Sequence, residues 1–225
     1  MSDPRLNLKQ NRIRKFFSCF QVEEEKTKEI KREELQNELT EKGLKYIQMR
    51  LPVDKITPEF ESEVKKRVEK NILNAKIRIA KEEDLPSVMN LYNRSWMTSS
   101  TPFSPIDLDS LKQIYSYPET EILIAKVYGN DAGFVILDYE GPNNEIGVIA
   151  GLGVIPRFQR KGLGTVLGVS AWNHFKSHGV EELRCEVYVD NKVSYDFIFS
   201  LGFEPYEEKT YKPDDFHLLN GTDSS

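Results

Sequence analysis

From residue 76 onward the chain alternates short apolar runs of period two with longer stretches of helical period. Ile77-Arg78-Ile79 predicts a short strand. Asp84 starts a helical pattern that runs to about Trp96, and a polar, proline-bearing loop follows over 97–105. Asp107 caps a second, shorter helix to about Tyr115. Two apolar runs, 122–128 and 133–139, predict strands, and the Gly129-Asn130 pair between them has hairpin-turn chemistry. A third long strand covers 145–154. A helix runs from about Gly162 to His178, with Gly179 as its stop signal. The stretch 183–189 alternates as a strand, Asn191 opens a helix that ends at Gly202, and Phe203 begins terminal strands that reach about Tyr211. Strand, two helices, three strands, helix, strand, helix, strand is an α/β order.

Residues 1–75 read differently, as a charged helical extension of the 76–225 domain. Arg5, Lys9, Arg12, Arg14 and Lys15 make the start basic, and Phe16, Phe17 and Phe20 follow them. Ile30, Leu35 and Leu39 give a weak helical pattern. Thr57-Pro58 reads as an N-cap and first-turn pair. After it Phe60, Val64, Val68 and Ile72 recur every fourth residue, one apolar stripe with charges between. Such a stripe packs on the domain or on a second copy. A partner-binding or membrane-surface arm is the other reading of the basic, Phe-rich start.

Composition narrows the class. Hydrophobic residues make up 39% and charged residues 30% of the 225, a globular balance. A net charge of -5 argues against a nucleic-acid binder. The two cysteines, Cys19 and Cys185, are far apart, which disfavours a disulfide scaffold and suits a reducing cytoplasm. No apolar run approaches the roughly 18 residues of a transmembrane helix, and no signal-peptide core is visible.

The candidate chemistry sits where a strand meets a helix. Val154-Ile155-Pro156 ends a β-branched run, and Arg157-Phe158-Gln159-Arg160-Lys161-Gly162-Leu163-Gly164-Thr165 turns into the long helix. Glycines there let successive N–H groups face one anion, and the helix N-terminus adds partial positive charge. A Walker A loop is a poor match because Lys161 precedes its glycine, and a dinucleotide fingerprint fails at Leu167. His174 and His178 stand at i and i+4 on the same helix, a spacing that can bind metal. No carboxylate or further histidine accompanies them in a motif, so they read as helix surface and no metal site is expected.

Two motifs together carry a resemblance. Gln159-x-x-Gly162-x-Gly164 resembles the pyrophosphate loop of the GNAT family of N-acetyltransferases. Asn191-x-x-Ser194-x-x-Phe197-x-x-x-Leu201-Gly202-Phe203 is similar to the family's second signature, and Gly133-Phe134 is a weaker third match. The resemblance covers about 76–211 and the element order agrees. It implies the acyl-CoA N-acyltransferase fold, a mixed central sheet of about six to seven strands flanked by helices. It also implies acetyl transfer from acetyl-CoA, as co-substrate, to a primary amine of a small molecule or protein.

The resemblance further assigns residues. Backbone N–H groups of Arg160, Lys161, Gly162, Leu163, Gly164 and Thr165, with Gln159 beside them, are expected at the pyrophosphate. The backbone of Leu152, Gly153 and Val154 is expected to pair with the cofactor's arm, with the Val154 N–H as oxyanion donor. Asn191 is expected to hydrogen-bond that arm, and it also suits an N-cap. Similarity to alanine acetyltransferases of ribosomal proteins places a glutamate base at Glu186. Those relatives carry a tyrosine acid where this chain has Ile198, so Tyr195, one turn earlier, is the candidate substitute. The loop 97–105 and the segment 205–212 are expected to frame the acceptor. The missing tyrosine also supports a rival reading, a catalytically silent acyl-CoA sensor whose N-terminal arm binds a partner.

Overall fold

The computed structural model describes residues 43–69, 73–96, 99 and 105–212. The basic, Phe-rich start and the pattern at Ile30, Leu35 and Leu39 lie outside the described residues, as does most of the loop 97–105.

The described chain builds one seven-stranded sheet. Its strands are β1 (Leu44–Pro52), β2 (Lys76–Ile79), β3 (Glu121–Val127), β4 (Asn130–Glu140), β5 (Ile146–Val154), β6 (Glu182–Tyr188) and β7 (Glu204–Tyr211). The order across the sheet is β2-β3-β4-β5-β6-β1-β7. All neighbours pair antiparallel except β5 and β6. The helices are α1 (Pro58–Glu69), α2 (Leu85–Trp96), α3 (Leu108–Tyr115), α4 (Leu163–Ser177) and α5 (Lys192–Ser200). Among the described residues no helix is long and apolar enough to cross a membrane.

Two glycines fix which helix covers which face. A Cβ on Gly133 would lie 3.0 Å from Leu167 of α4, whereas one on Gly153 would lie 2.8 Å from Ser95 of α2. Gly133 pairs with Val154, next to Gly153, and successive side chains on a strand point to opposite faces. So α2 and α4 lie on opposite sides of the sheet. Helix α1 lies against α4: Phe60 packs on Trp172 at 5.8 Å, and Lys176 Nζ reaches Glu61 at 3.0 Å. The stripe read from Phe60 and Val64 is the buried one, Val64 being fully enclosed.

The region before residue 76 corrects the sequence reading. Residues 44–52, read as part of a helical extension, form a strand inside the sheet. β1 pairs with β6 from Tyr46↔Tyr188 to Pro52↔Glu182, and with β7 from Leu44↔Tyr211 to Arg50↔Glu204. The physical reason is an alternation hidden between charge-rich flanks: Leu44, Tyr46 and Gln48 are buried, while Lys45 is exposed. The sheet therefore starts at Leu44. Two smaller differences follow. The β3–β4 turn residues are Tyr128 and Gly129, with φ of 50° and 82°, one position earlier than the expected pair. The terminal segment is a single edge strand held by β1 rather than a pair of its own.

Candidate functional site

β5 and β6 separate as they run toward the glycine loop. Their parallel pairing covers Ile146↔Glu182 to Ile149↔Cys185. Opposite Ile136 and Leu137 the register of β5 slips at Ala150, a bulge that turns the strand. Past that point the last residues of β5, with α2, the loop and the start of α5, line a cleft of about 480 Å³. Ser95, Trp96 and Ser99 form one side, Leu152, Gly153 and Val154 the floor, and Val193, Ser194 and Phe197 the far wall.

The loop is shaped by its backbone. Pro156–Phe158 is a single 3-10 turn, Arg160 stands at φ 56°, and Gly162 at φ 80° caps α4 from the left-handed region that glycine tolerates. No side chain caps this helix, and its first intrahelical bond runs from Val166 N–H to the Gly162 carbonyl. The N–H groups of the first turn have no intrahelical acceptor, as at any helix start. Gln159, Arg160, Gly162, Gly164 and Thr165 all line the cleft. A helix start of this kind, uncapped and opening on a cleft, fits a pyrophosphate, the dipole favouring negative charge there.

The other expected residues separate into groups. The Gln159 amide donates to the Val154 carbonyl at 2.8 Å, which closes the loop back on β5. Asn191 does cap α5, accepting from the Ser194 N–H at 3.1 Å, and its amide donates to Ser99 Oγ at 3.1 Å on the opposite wall. Leu163 is buried in the core, so its side chain is not available to a ligand. Lys161 is absent from the cleft lining and its ammonium lies 6.0 Å from the Phe158 ring. Tyr195 is not brought to the cleft either. Ser194 and Phe197 face it, while Tyr195 stacks on Phe199 along a different stripe of α5 at 6.2 Å. Ile198, three residues beyond Tyr195, is itself core. Cys185 is buried, as its strand face predicts.

Glu186 is the first β6 residue past the paired segment, on the α2 side of the sheet, and like Lys161 and Tyr195 it is not among the residues lining the cleft. Tyr211 Oη donates to its Oε1 at 2.6 Å. Gln48, its register partner on β1, is only 4% exposed, and its Nε2 has no hydrogen-bond partner among the described residues. Tyr211 and Gln48 were not singled out in sequence. Gln48 lies in the unrecognised strand, and Tyr211 reaches Glu186 only because β1 brings β7 alongside.

Asp138 was also missed. It stands on β4 opposite Val148, which pairs with Arg184, so it shares the face of Glu186 one step farther from the loop. It is 5% exposed. Burial pushes its pKa from 3.8 up to about 7, Glu140 and Glu119 adding to the rise, while the Tyr139 N–H opposes it. The available signal was a lone aspartate inside Phe134-Val135-Ile136-Leu137 and Tyr139.

Known proteins bear on this geometry. A sequence profile of the acetyltransferase (GNAT) family matches residues 85–203, more than half of the chain. A mycothiol acetyltransferase from a Nocardioides species is 33% identical over 93 residues, 41% of this chain and 28% of that protein. The chain thus spans under a third of that relative's length. An N-acetyltransferase from Thermoplasma acidophilum, solved with coenzyme A, superimposes with a TM-score of 0.51 at 22% identity, over 61% of this chain and 99% of that one. An alanine N-acetyltransferase of a ribosomal protein from Escherichia coli gives a TM-score of 0.51 at 21% identity, over 59% and 79%. At such identities the two structures speak to the fold.

Proposed function

Since the chain belongs to the acetyltransferase (GNAT) family, we propose that it transfers an acetyl group from acetyl-CoA to a primary amine of a small molecule or a protein. The observation that carries this reading is the uncapped start of α4 opening on a cleft between separated strands. Acetyl-CoA held there supplies an activated thioester carbonyl. Around it, N–H groups of Gly162, Gly164 and Thr165 bind the pyrophosphate, and the Arg160 side chain adds charge. The β5 edge at Leu152, Gly153 and Val154 lies free of β6 and pairs with the amide-bearing arm. The Val154 N–H stabilises negative charge developing on the thioester oxygen.

The acceptor enters from the α2 face, where Glu186 takes a proton from the ammonium, directly or through water. The amine nitrogen forms the new C–N bond as the C–S bond breaks. The departing thiolate is a weak base and takes its proton from solvent, so Ile198 costs the reaction no essential group.

One substitution separates binding from folding. Thr165 occupies the third helical position of α4, where a glutamate suits the helix dipole but repels a pyrophosphate. The wild type is expected to bind acetyl-CoA in calorimetry and to release thiol only when a primary amine is present. Thr165→Glu is expected to keep its melting temperature and lose at least about tenfold in affinity. Wild type that binds no acetyl-CoA removes the cradle. Tight binding with no turnover across a broad amine panel replaces the enzyme with an acyl-CoA sensor.

A further inference from the structure

Helix α4 carries a second constellation at its other end, on the face away from Glu186. The structure assigns to Glu121, His174 and His178 a binding site for one divalent transition-metal ion of the zinc type. Glu121 opens β3, fifty-odd residues before the histidines, and folding brings it beneath them. One ligand atom from each of the three lies within 4.8 Å of the others. His174 Nε2 stands 3.2 Å from Glu121 Oε2, and the two imidazole centroids are 4.4 Å apart. In a tetrahedral site with bonds of about 2.0–2.1 Å, ligand atoms sit roughly 3.3 Å from one another. The first pair is already at that spacing, and His178, which is exposed, offers a ring nitrogen within 4.8 Å of both.

Three independent features point to a ligand. First, His174 Nε2 is buried and makes no hydrogen bond of acceptable geometry among the described residues. Buried polar atoms are ordinarily satisfied, and a metal would satisfy this one. Second, His178 Nδ1 is 2.8 Å from the His174 carbonyl. Donating there fixes the tautomer and leaves Nε2 with its lone pair, the arrangement that orients metal-bound imidazoles. Third, the Tyr139 hydroxyl is buried without a partner among the described residues, and its ring lies 5.8 Å from His178 and 6.5 Å from His174. The hydroxyl can donate to a water in the fourth coordination position.

Two imidazoles and one carboxylate form a borderline ligand set, which favours zinc and its neighbours over calcium or magnesium. Helical i, i+4 histidines place both rings on one side, and the strand supplies the third ligand. The ion would clamp the start of β3 to the end of α4. His174 lies ten residues beyond Gly164, about 15 Å along the helix. This site is therefore separate from the cleft.

Titration of the metal-stripped full chain with Co²⁺, followed by visible absorption, tests the assignment, with Zn²⁺ as competitor. One equivalent per chain, d–d bands of low coordination number and displacement by Zn²⁺ are expected. Glu121→Gln and His178→Ala should each weaken binding at least about tenfold, since loss of outer partners alone costs that much. His178 is exposed, so its variant should melt like the stripped wild type. Thr165→Glu should bind metal normally. Stoichiometric binding that ignores both substitutions moves the ion to other groups, such as His217 or the cysteines, and overturns the proposal. Absence of saturable binding also overturns it and leaves Glu121 and His174 as an ion pair.

Discussion

At the scale of single residues, two carboxyls share the α2 face of the sheet and differ in their surroundings. Glu186 is held by the Tyr211 hydroxyl at the point where β5 and β6 part. A proton acceptor there should be dispensable for cofactor binding and not for turnover. Glu186→Gln is expected to lower kcat by about 10²–10⁴ with an unchanged Kd for acetyl-CoA. Full activity in that variant across pH would shift the role elsewhere. Asp138 is the deeper group, enclosed by strands, and its consequence is for stability. Its folded pKa, about 7, lies above the ordinary 3.8. Between those values the folded chain keeps a proton that the unfolded chain has shed, so stability falls as pH rises through that window. The loss by pH 8 amounts to roughly 4 kcal/mol. Asp138→Asn should flatten the profile of melting temperature between pH 5 and 8.5 and raise it at the alkaline end. An equal slope in the variant would mean the carboxyl is solvated or paired. Neither the burial of Asp138 nor its elevated pKa is legible in sequence, since both depend on what stacks over β4.

At the scale of elements, local chemistry made most of the α/β half readable. Asp107 caps α3 by accepting from the Ser110 N–H, Asn191 caps α5, and Gly179 and Gly202 leave their helices at φ 76° and 92°. Those are short-range signals, and a sequence carries them in full. The glycine loop was legible for the same reason, because φ of 80° at Gly162 is a demand made by the backbone itself. What the sequence does not contain is the rotation of one element against another. Gly164 does more than open the loop: a Cβ there would stand 3.2 Å from Phe197, and one on Gly168 would stand 2.7 Å from Leu201. The two glycines let α5 settle against α4, and that contact turns Phe197 and Ser194 into the cleft and Tyr195 out of it. Spacing from Asn191 places Tyr195 near the expected acid, and packing decides otherwise. The histidine pair shows the converse, since its third ligand comes from a strand that no local pattern connects to α4.

At the scale of the whole molecule, the order β6-β1-β7 makes the segment before residue 76 part of the cleft's support. β1 backs β6, which carries Glu186, and it holds β7, which carries Tyr211. Leu51 also reaches the turn after α5: it is 2% exposed, and a Cβ on Gly202 would lie 3.6 Å from it, with Phe60 of α1 at 3.0 Å. A strand inserted from far away in sequence must find both neighbours at once, and its alternation is too short to stand out beside the surrounding charge. If β1 is integral, truncating its core should destabilise the entire domain. Leu51→Ala removes a side chain from a site with backbone on two sides and little room to collapse, so a loss of about 2–5 kcal/mol is expected. Lys45 is exposed and its ion pair with Glu208 lies at the surface, so Lys45→Ala should change stability by less than about 1 kcal/mol. Denaturant unfolding followed by far-ultraviolet dichroism and by tryptophan fluorescence gives the test, because Trp96 and Trp172 report from opposite faces of the sheet. A single transition, shifted to lower denaturant in both signals by Leu51→Ala, places β1 in the same cooperative unit as the cleft. Two transitions, with fluorescence unmoved, would reduce β1 to an appendage on a domain that begins at β2.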